Sequence, residues 1–231
     1  MNWFEPLNYT DSNHVEASET KLQFYAGWFA NPIYINGKYP NIMRQKVKSV
    51  YIFCCVRLTY IAFLQFWLQI DGKSFAQGYE KSRLPQFTEE ESLEIQGSSD
   101  FYGLNFYTAN LAYPKPLNEI DNSLISWSAD SDVNSVKDPK WFGGASPWLK
   151  VTPFGLRRAV NWLYQRYQMP IYVTENGFSD FIGNTDDLQR IYYYKHYINQ
   201  LLKAVKLDGV DVRGYYAWSL MDNFEWAKGY R

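Results

Sequence analysis

Residues 171–177 read IYVTENG, and the run ends on a charge. Ile171, Tyr172, Val173 and Thr174 suit a pleated strand covered on both faces, whereas a glutamate is almost never fully buried without a partner. Asn176-Gly177 then turns the chain. In parallel α/β architectures the carboxyl ends of the strands carry the active site, and its side chains come from several strands. Two other segments are built the same way. DFYGLNFYT, 100–108, is rich in aromatic and β-prone residues and sets Asn105 and Tyr107 on one side. VRGYYAWSL, 212–220, presents Trp218 and runs into a loop with Asp222, Asn223, Glu225 and Trp226.

Helical patterns fill the spaces between these strands. ASETKLQFYAGWFA, 17–30, spaces Leu22, Tyr25, Ala26 and Phe29 on one face and runs into Asn31-Pro32, which is expected to end the helix. Thr88 and Glu91 have capping-box spacing ahead of a short helix through Ile95, closed by Gly97. Pro153 suits the first position of a helix that repeats Leu156, Val160, Leu163 and Tyr167. A second long helix, Asp187 to about Leu207, is expected to bury Leu188, Ile191, Tyr194, Ile198, Leu201 and Val205. From Asn110 to Pro147 the chain turns to Asn, Ser, Asp, Pro and Gly with little periodicity, which predicts a long functional loop region. Strands alternating with helices predict βα units and a parallel sheet, open or closed into a barrel.

Composition narrows the chemistry. The chain has 231 residues, enough for one domain or part of one, and a net charge of −1 that offers no footprint for nucleic acid. Its two cysteines are the adjacent Cys54 and Cys55, so neither a disulfide framework nor a cysteine-held metal is expected. MNWFEPLNYT, 1–10, does not read as a signal peptide, and the compartment stays open. Asn8-Tyr9-Thr10 is a single sequon. His14 and His196 flank no GxSxG signature, and no GxGxxG or phosphate loop occurs. Aromatic residues reach 19% and run through the whole chain, as suits either a large core or flat platforms for wet, amphipathic ligands such as sugars.

Each candidate residue has a plain structural alternative. Glu175 could be a helix cap or half of an ion pair, Trp218 and Tyr107 core rings, Asn105 a turn anchor, and Glu225 a solvated loop charge. Together at strand ends, two acids, an amide and two indoles fit glycosyl transfer to water. That reaction needs one carboxylate as nucleophile or base, a second carboxyl as acid, and aromatic and polar groups for the sugar.

One segment stands apart. VYIFCCVRLTYIAFLQFWLQI, 50–70, is long and apolar enough to span a bilayer, although Arg57, about a third of the way in, would cost roughly 2.5–3.5 kcal/mol if it lay at the centre. A membrane span is the weaker reading. Removing Val47 to Gln69 joins NIMRQK to IDGKSFAQGYEKSRLP, a continuous polar helix and loop, so we read 47–69 as an aberrant insertion, the translation of an unspliced intron. Valine codons begin with GT and one glutamine codon is CAG, the usual first and last bases of an intron.

The chain resembles glycoside hydrolase family one, the β-glucosidase and lactase-like retaining enzymes. The resemblance is carried by YVTENG at 172–177, DFYGLNFYT at 100–108 and WSLMDNFEWAKGYR at 218–231, with NWFEP at 2–6, GWFANPIY at 27–34, YEKSRLPQFTEEE at 79–91 and WLKVTPFGL at 148–156. It covers nearly the whole chain except 47–69. It implies an α/β fold, a (β/α)8 TIM barrel of which this chain is the second half, approximately strands 5–8, with Met1 inside the end of strand five. It also implies Glu175 as nucleophile, Tyr107 as the residue that orients it, and Asn105 lining the same subsite. Trp218 would be a sugar platform, Glu225 a bidentate acceptor from sugar hydroxyls, and Trp226 a further hydroxyl contact. The substrate would be a small-molecule or oligosaccharide β-glycoside, without cofactor or metal, and full-length relatives are either secreted or cytosolic.

The family's acid/base glutamate lies in a TxNEP motif that this chain lacks, and Glu5 in Phe4-Glu5-Pro6 belongs to a different position. Negligible turnover on ordinary glycosides is therefore expected, and doubtful independent stability, since a half barrel leaves strand edges uncovered. The rival reading is a non-catalytic remnant that binds sugar or protein. For the insertion, the gene is the check: a donor site at the Val47 codon and CAG at Gln69 are expected, and CAA at Gln69 would contradict the intron.

Overall fold

The three segments that end on polar residues lie side by side in one parallel sheet. In the computed structural model, which describes residues 1–47, 72–180 and 185–230, the strands are β1 (Trp3–Pro6), β2 (Tyr102–Asn105), β3 (Ala109–Pro114), β4 (Val133–Val136), β5 (Ile171–Asn176) and β6 (Val212–Ala217). β5 is central in the sheet β2-β5-β6, parallel to both neighbours, and a second sheet has the order β1-β3-β4. A register slip between Leu104 and Asn105 brings Asn105 opposite Glu175. The alternation of strands and helices thus gives the expected parallel α/β arrangement. The strand in 100–108 is shorter than expected, ending at Asn105, although Phe106 still donates its N–H to the Glu175 carbonyl and the Thr108 carbonyl accepts from the Trp3 N–H.

The residues form two compact units: Met1–Glu5 with Ser99–Leu111 and Ser135–Arg231, and Pro6–Ser98 with Ala112–Asn134. In the first, the helices Pro153–Tyr167 and Leu188–Leu207 pack on one another. Pro153 opens the former as expected, and Leu156, Val160, Leu163 and Tyr167 are all buried. The second helix spans the expected residues but turns another face inward. Tyr193, Tyr197, Leu201 and Ala204 are buried, while Leu188, Ile191 and Ile198 are exposed. Hydrogen-bonding partners for the tyrosine hydroxyls decide this, because they let Tyr193 and Tyr197 go inside at no loss of polar contacts.

In the second unit the helix Ser12–Leu22 does not stop at Pro32. It continues through a π-helical turn, Gln23–Gly27, the turn Trp28–Asn31 and a second π-helical turn, Pro32–Asn36, and ends on Gly37 at φ 66°. A π turn carries an extra residue. That rotates the face beyond it, so Phe24 and Ala30 are buried and Phe29, expected inside, is 66% exposed. Gly37 donates its N–H to the Pro32 carbonyl, and a Cβ there would lie 2.3 Å from the Ser92 carbonyl oxygen. The capping box of Thr88 and Glu91 is formed, with both reciprocal bonds. Region 110–147 is less irregular than expected, since it contributes β3, β4 and the turn Trp127–Asp130.

Val47 closes a core cluster with Phe24, Met43 and Leu84. The rest of the 47–69 insertion, and the whole apolar run 50–70, lie outside the described residues. Their described flanks converge: Lys46 and Lys73 both pair with Asp132, at 3.0 and 2.6 Å, and the Ser74 hydroxyl donates to the Val47 carbonyl. Among the described residues no helix is long and apolar enough to cross a membrane.

Asp208, which caps the helix Leu188–Leu207, ties that helix to its neighbour. Its carboxylate accepts two bonds from Arg157 and one from Asn161, each 2.7 Å, and these hold its pKa down from 3.8 to about 2. A carboxyl depressed in the folded state stabilises above its unfolded pKa and loses that contribution as pH falls through the folded value. Asp208→Asn is expected to lower the thermal midpoint at pH 6, with the deficit fading between pH 3.8 and about 2; a deficit that persists at the acid end contradicts this linkage.

Candidate functional site

Glu175 sits at the carboxyl end of the central strand with both oxygens engaged. The Asn105 amide donates to Oε1 at 2.6 Å and the Tyr107 phenol donates to Oε2 at 2.7 Å. The Thr174 hydroxyl donates to the Asn105 Oδ1 at 2.6 Å, which leaves the amide nitrogen of Asn105 to face the carboxylate. The backbone supports the same pairing, since Phe106 N–H donates to the Glu175 carbonyl at 2.8 Å. Burial, then the hydrogen bond and negative charge of Glu175, then the charge of Glu225, push the Tyr107 phenol well above its ordinary pKa, so it remains a donor. Glu175 is therefore not a helix cap, and its two hydrogen-bond partners are neutral donors, while the Met1 ammonium, bonded to the Asn105 carbonyl, acts on it through charge alone.

The next residue, Asn176, is fully buried with every amide position used. Its nitrogen donates to the Phe106 carbonyl at 2.7 Å and to the Tyr193 hydroxyl at 2.8 Å, and its Oδ1 accepts from Tyr215 at 2.7 Å. One side chain thus joins the end of β2, the helix Leu188–Leu207 and β6 around the tip of β5. Gly177 then brings the chain against β6. Trp218 N–H donates to the Asn176 carbonyl at 2.9 Å, and a Cβ on Gly177 would stand 1.9 Å from the Trp218 carbonyl oxygen. Tyr194 donates to that same oxygen at 3.1 Å.

Beyond β6, the indole N–H of Trp218 donates to Glu225 Oε1 at 3.4 Å, and Trp218 is 39% exposed. Trp218 is accordingly not core filler. Asn223 shapes the loop by bonding the Ser219 hydroxyl and the Met221 carbonyl. Trp226 is 83% exposed at the start of the 3-10 turn Trp226–Lys228, so the structure joins Glu175, Tyr107 and Asn105, adds Trp218 with Glu225, and leaves Trp226 at the rim. Glu5 is separate: it is buried and paired with Arg158 and the Trp3 indole.

Several supporting residues escaped the sequence reading, among them Asn176, Tyr193, Tyr194, Tyr197, Tyr215 and Trp148. Trp148 is half exposed and meets the Tyr107 ring edge-on at 5.7 Å. The available signal was four tyrosines within 192–197, which a purely apolar core would not need. Among the described residues no cluster of His, Cys, Asp or Glu could hold a metal. A carboxylate that accepts from two neutral donors, with the charge of Glu225 felt by one of them, can act as nucleophile or base toward a polyhydroxylated ligand.

The model of glycosyl hydrolase family 1 matches residues 1–231. Lactase/phlorizin hydrolase of Rattus norvegicus is 44% identical over 231 residues, covering 99% of this chain and 10% of that protein. Cytosolic beta-glucosidase of Cavia porcellus is 34% identical over 99% of this chain and 43% of its own length. The crystal structure of a rice β-glucosidase superposes with a TM-score of 0.78 at 35% identity, covering all of this chain and 43% of that one. The chain thus spans less than half the length of each of these relatives.

The tight approach at Gly177 gives a direct test. Gly177→Ala must displace the backbone of Trp218, and overpacking of this kind costs about 1–3 kcal/mol. The denaturant midpoint is expected to fall accordingly, and an unchanged midpoint contradicts the geometry.

Proposed function

The chain belongs to glycosyl hydrolase family 1, and on that premise we propose that it carries the nucleophile half of a retaining β-glycosidase site. Glu175 is the nucleophile. The observation that carries this reading is the pair of neutral donors on its two oxygens, Asn105 and Tyr107, which aim the carboxylate without placing a positive charge on it. In the first step a Glu175 oxygen bonds to the anomeric carbon while the bond from that carbon to the leaving oxygen breaks, giving a covalent glycosyl-enzyme that water later opens. Trp218 offers an aromatic face to the sugar, and Glu225 accepts from two adjacent sugar hydroxyls because an ionised carboxylate is acceptor-only. Trp226, at the rim, adds a hydroxyl contact.

In this reading β2, β5 and β6 are three of the last four strands of a (β/α)8 barrel. Coverage of 43% of the rice β-glucosidase and the parallel order β2-β5-β6 support that assignment. The reading of 47–69 as an insertion is supported by its converging flanks, where Lys46 and Lys73 share Asp132.

The second carboxyl of a retaining pair stands about 5–5.5 Å from the nucleophile and protonates the leaving oxygen. No TxNEP sequence supplies it in this chain. Leaving groups that need no proton should therefore react where others do not. With dinitrophenyl β-glucoside the chain is expected to release a burst of about one equivalent of dinitrophenolate per site, absent in Glu175→Gln, whereas ethyl β-glucoside should give no detectable turnover. A burst that survives Glu175→Gln contradicts the nucleophile assignment, and Glu175-dependent hydrolysis of the ethyl glucoside contradicts the missing acid.

A further inference from the structure

We propose that Tyr193 and Tyr197 are positioning residues of the Glu175 site, which grip the backbone carbonyl of Tyr107 and thereby set where its phenol meets the carboxylate. This rests on the nucleophile reading only for its kinetic consequence, since the grip itself is geometric.

Both side chains are completely buried, and as phenylalanines they would fill the same space. A buried hydroxyl is costly unless it is bonded, so the two oxygens need a use. Each spends its only proton on the same acceptor: Tyr193 donates to the Tyr107 carbonyl at 3.0 Å and Tyr197 at 2.9 Å. That carbonyl has no ladder partner of its own, because Tyr107 lies between β2 and β3. The spacing of four residues puts both rings on one helix face, stacked with centroids 4.0 Å apart and planes 18° apart, so the two donors form one rigid pair.

The acceptor side of each hydroxyl is anchored as well. Tyr193 accepts from Asn176, the residue that follows Glu175, and Tyr197 accepts from the Thr152 N–H at 2.9 Å. A chain of hydrogen bonds therefore runs from Asn176 through Tyr193 to the backbone of Tyr107, while the Tyr107 phenol closes the ring onto Glu175 at 2.7 Å. The residue beside the carboxylate and the residue that donates to it are fixed to each other twice. Burial raises both phenol pKa values, that of Tyr197 to about 12, so the pair keeps its protons throughout the working range of a glycosidase. Removing the two hydroxyls frees the Tyr107 carbonyl to move and carries the phenol with it.

The test uses the whole chain with its tyrosines isotopically labelled at Cζ, the Tyr107 resonance being assigned by its loss in Tyr107→Phe. In the double variant Tyr193→Phe/Tyr197→Phe the Tyr107 resonance is expected to move toward its position in Glu175→Gln, where the acceptor charge is gone. Each single variant should move it part of the way, which keeps the test open if the double variant does not fold. The burst rate with dinitrophenyl β-glucoside should fall about tenfold to a hundredfold with the half-saturating sugar concentration unchanged, as misplacement of a reacting group does. In a Tyr107→Phe background the same two substitutions should cost nothing further, because their effect passes through the missing phenol. An unmoved Tyr107 resonance, or an equal rate loss in both backgrounds, overturns the proposal. If the native chain shows no burst yet the resonance moves as stated, the grip stands and it is the nucleophile assignment that fails.

Discussion

The Glu175 carboxylate accepts one hydrogen bond on each oxygen from groups that carry no charge, and the arrangement around it follows from keeping that pair of bonds in place. A charged acceptor makes its hydrogen bonds worth about 1.5–3 kcal/mol each, and losing one partner leaves a charge poorly compensated at the end of an apolar strand. A cation would satisfy the charge more strongly but would also quench its reactivity. Neutral donors fix the direction of the carboxylate and leave lone pairs available. The register slip after Leu104, the threonine that orients Asn105, and the burial that keeps the Tyr107 phenol protonated all serve that one contact.

Behind the carboxylate lies a layer of polar side chains that bond to one another and to the backbone. Asn176 links three elements through one amide, and Tyr193, Tyr197 and Tyr215 add to their rings the hydroxyls that phenylalanine would lack. Gly177 admits the Trp218 carbonyl where any side chain would exclude it, which puts Trp218 and its partner Glu225 beside the strand end. The long helix Leu188–Leu207 thus combines packing with site support, and its inward face is polar at the tips of its rings for that reason.

Much of this could be read before any coordinates. Local rules with short reach held: the Thr88–Glu91 box, Pro153 at a helix start and the buried repeat Leu156, Val160, Leu163 and Tyr167. The grouping of Asn105, Tyr107 and Glu175 was legible because strand ends gather on one side of a parallel sheet. What failed depended on longer-range terms. The face of Leu188–Leu207 could not be chosen from apolar spacing, since Tyr193 and Tyr197 go inside only when their hydroxyls find Tyr107 and Asn176 far away in sequence. Phe29 turned outward because a π turn, which leaves no mark in residue spacing, inserts a residue upstream of it. The strands β3 and β4 within 109–136 were missed because Asn, Ser and Asp suggested loop where backbone pairing decided otherwise.

On this account the chain holds a nucleophile in working geometry while lacking the acid that would let it act on ordinary glycosides. The most direct measurement is peptide mass mapping after incubation with a fluoroglucosyl fluoride, a trap whose leaving fluoride needs no protonation and whose glycosyl-enzyme is slow to open. The account predicts one sugar adduct, on the peptide that contains Glu175, formed by the native chain and not by Glu175→Gln. An adduct on another carboxylate, or none at all from a folded native chain, would contradict it.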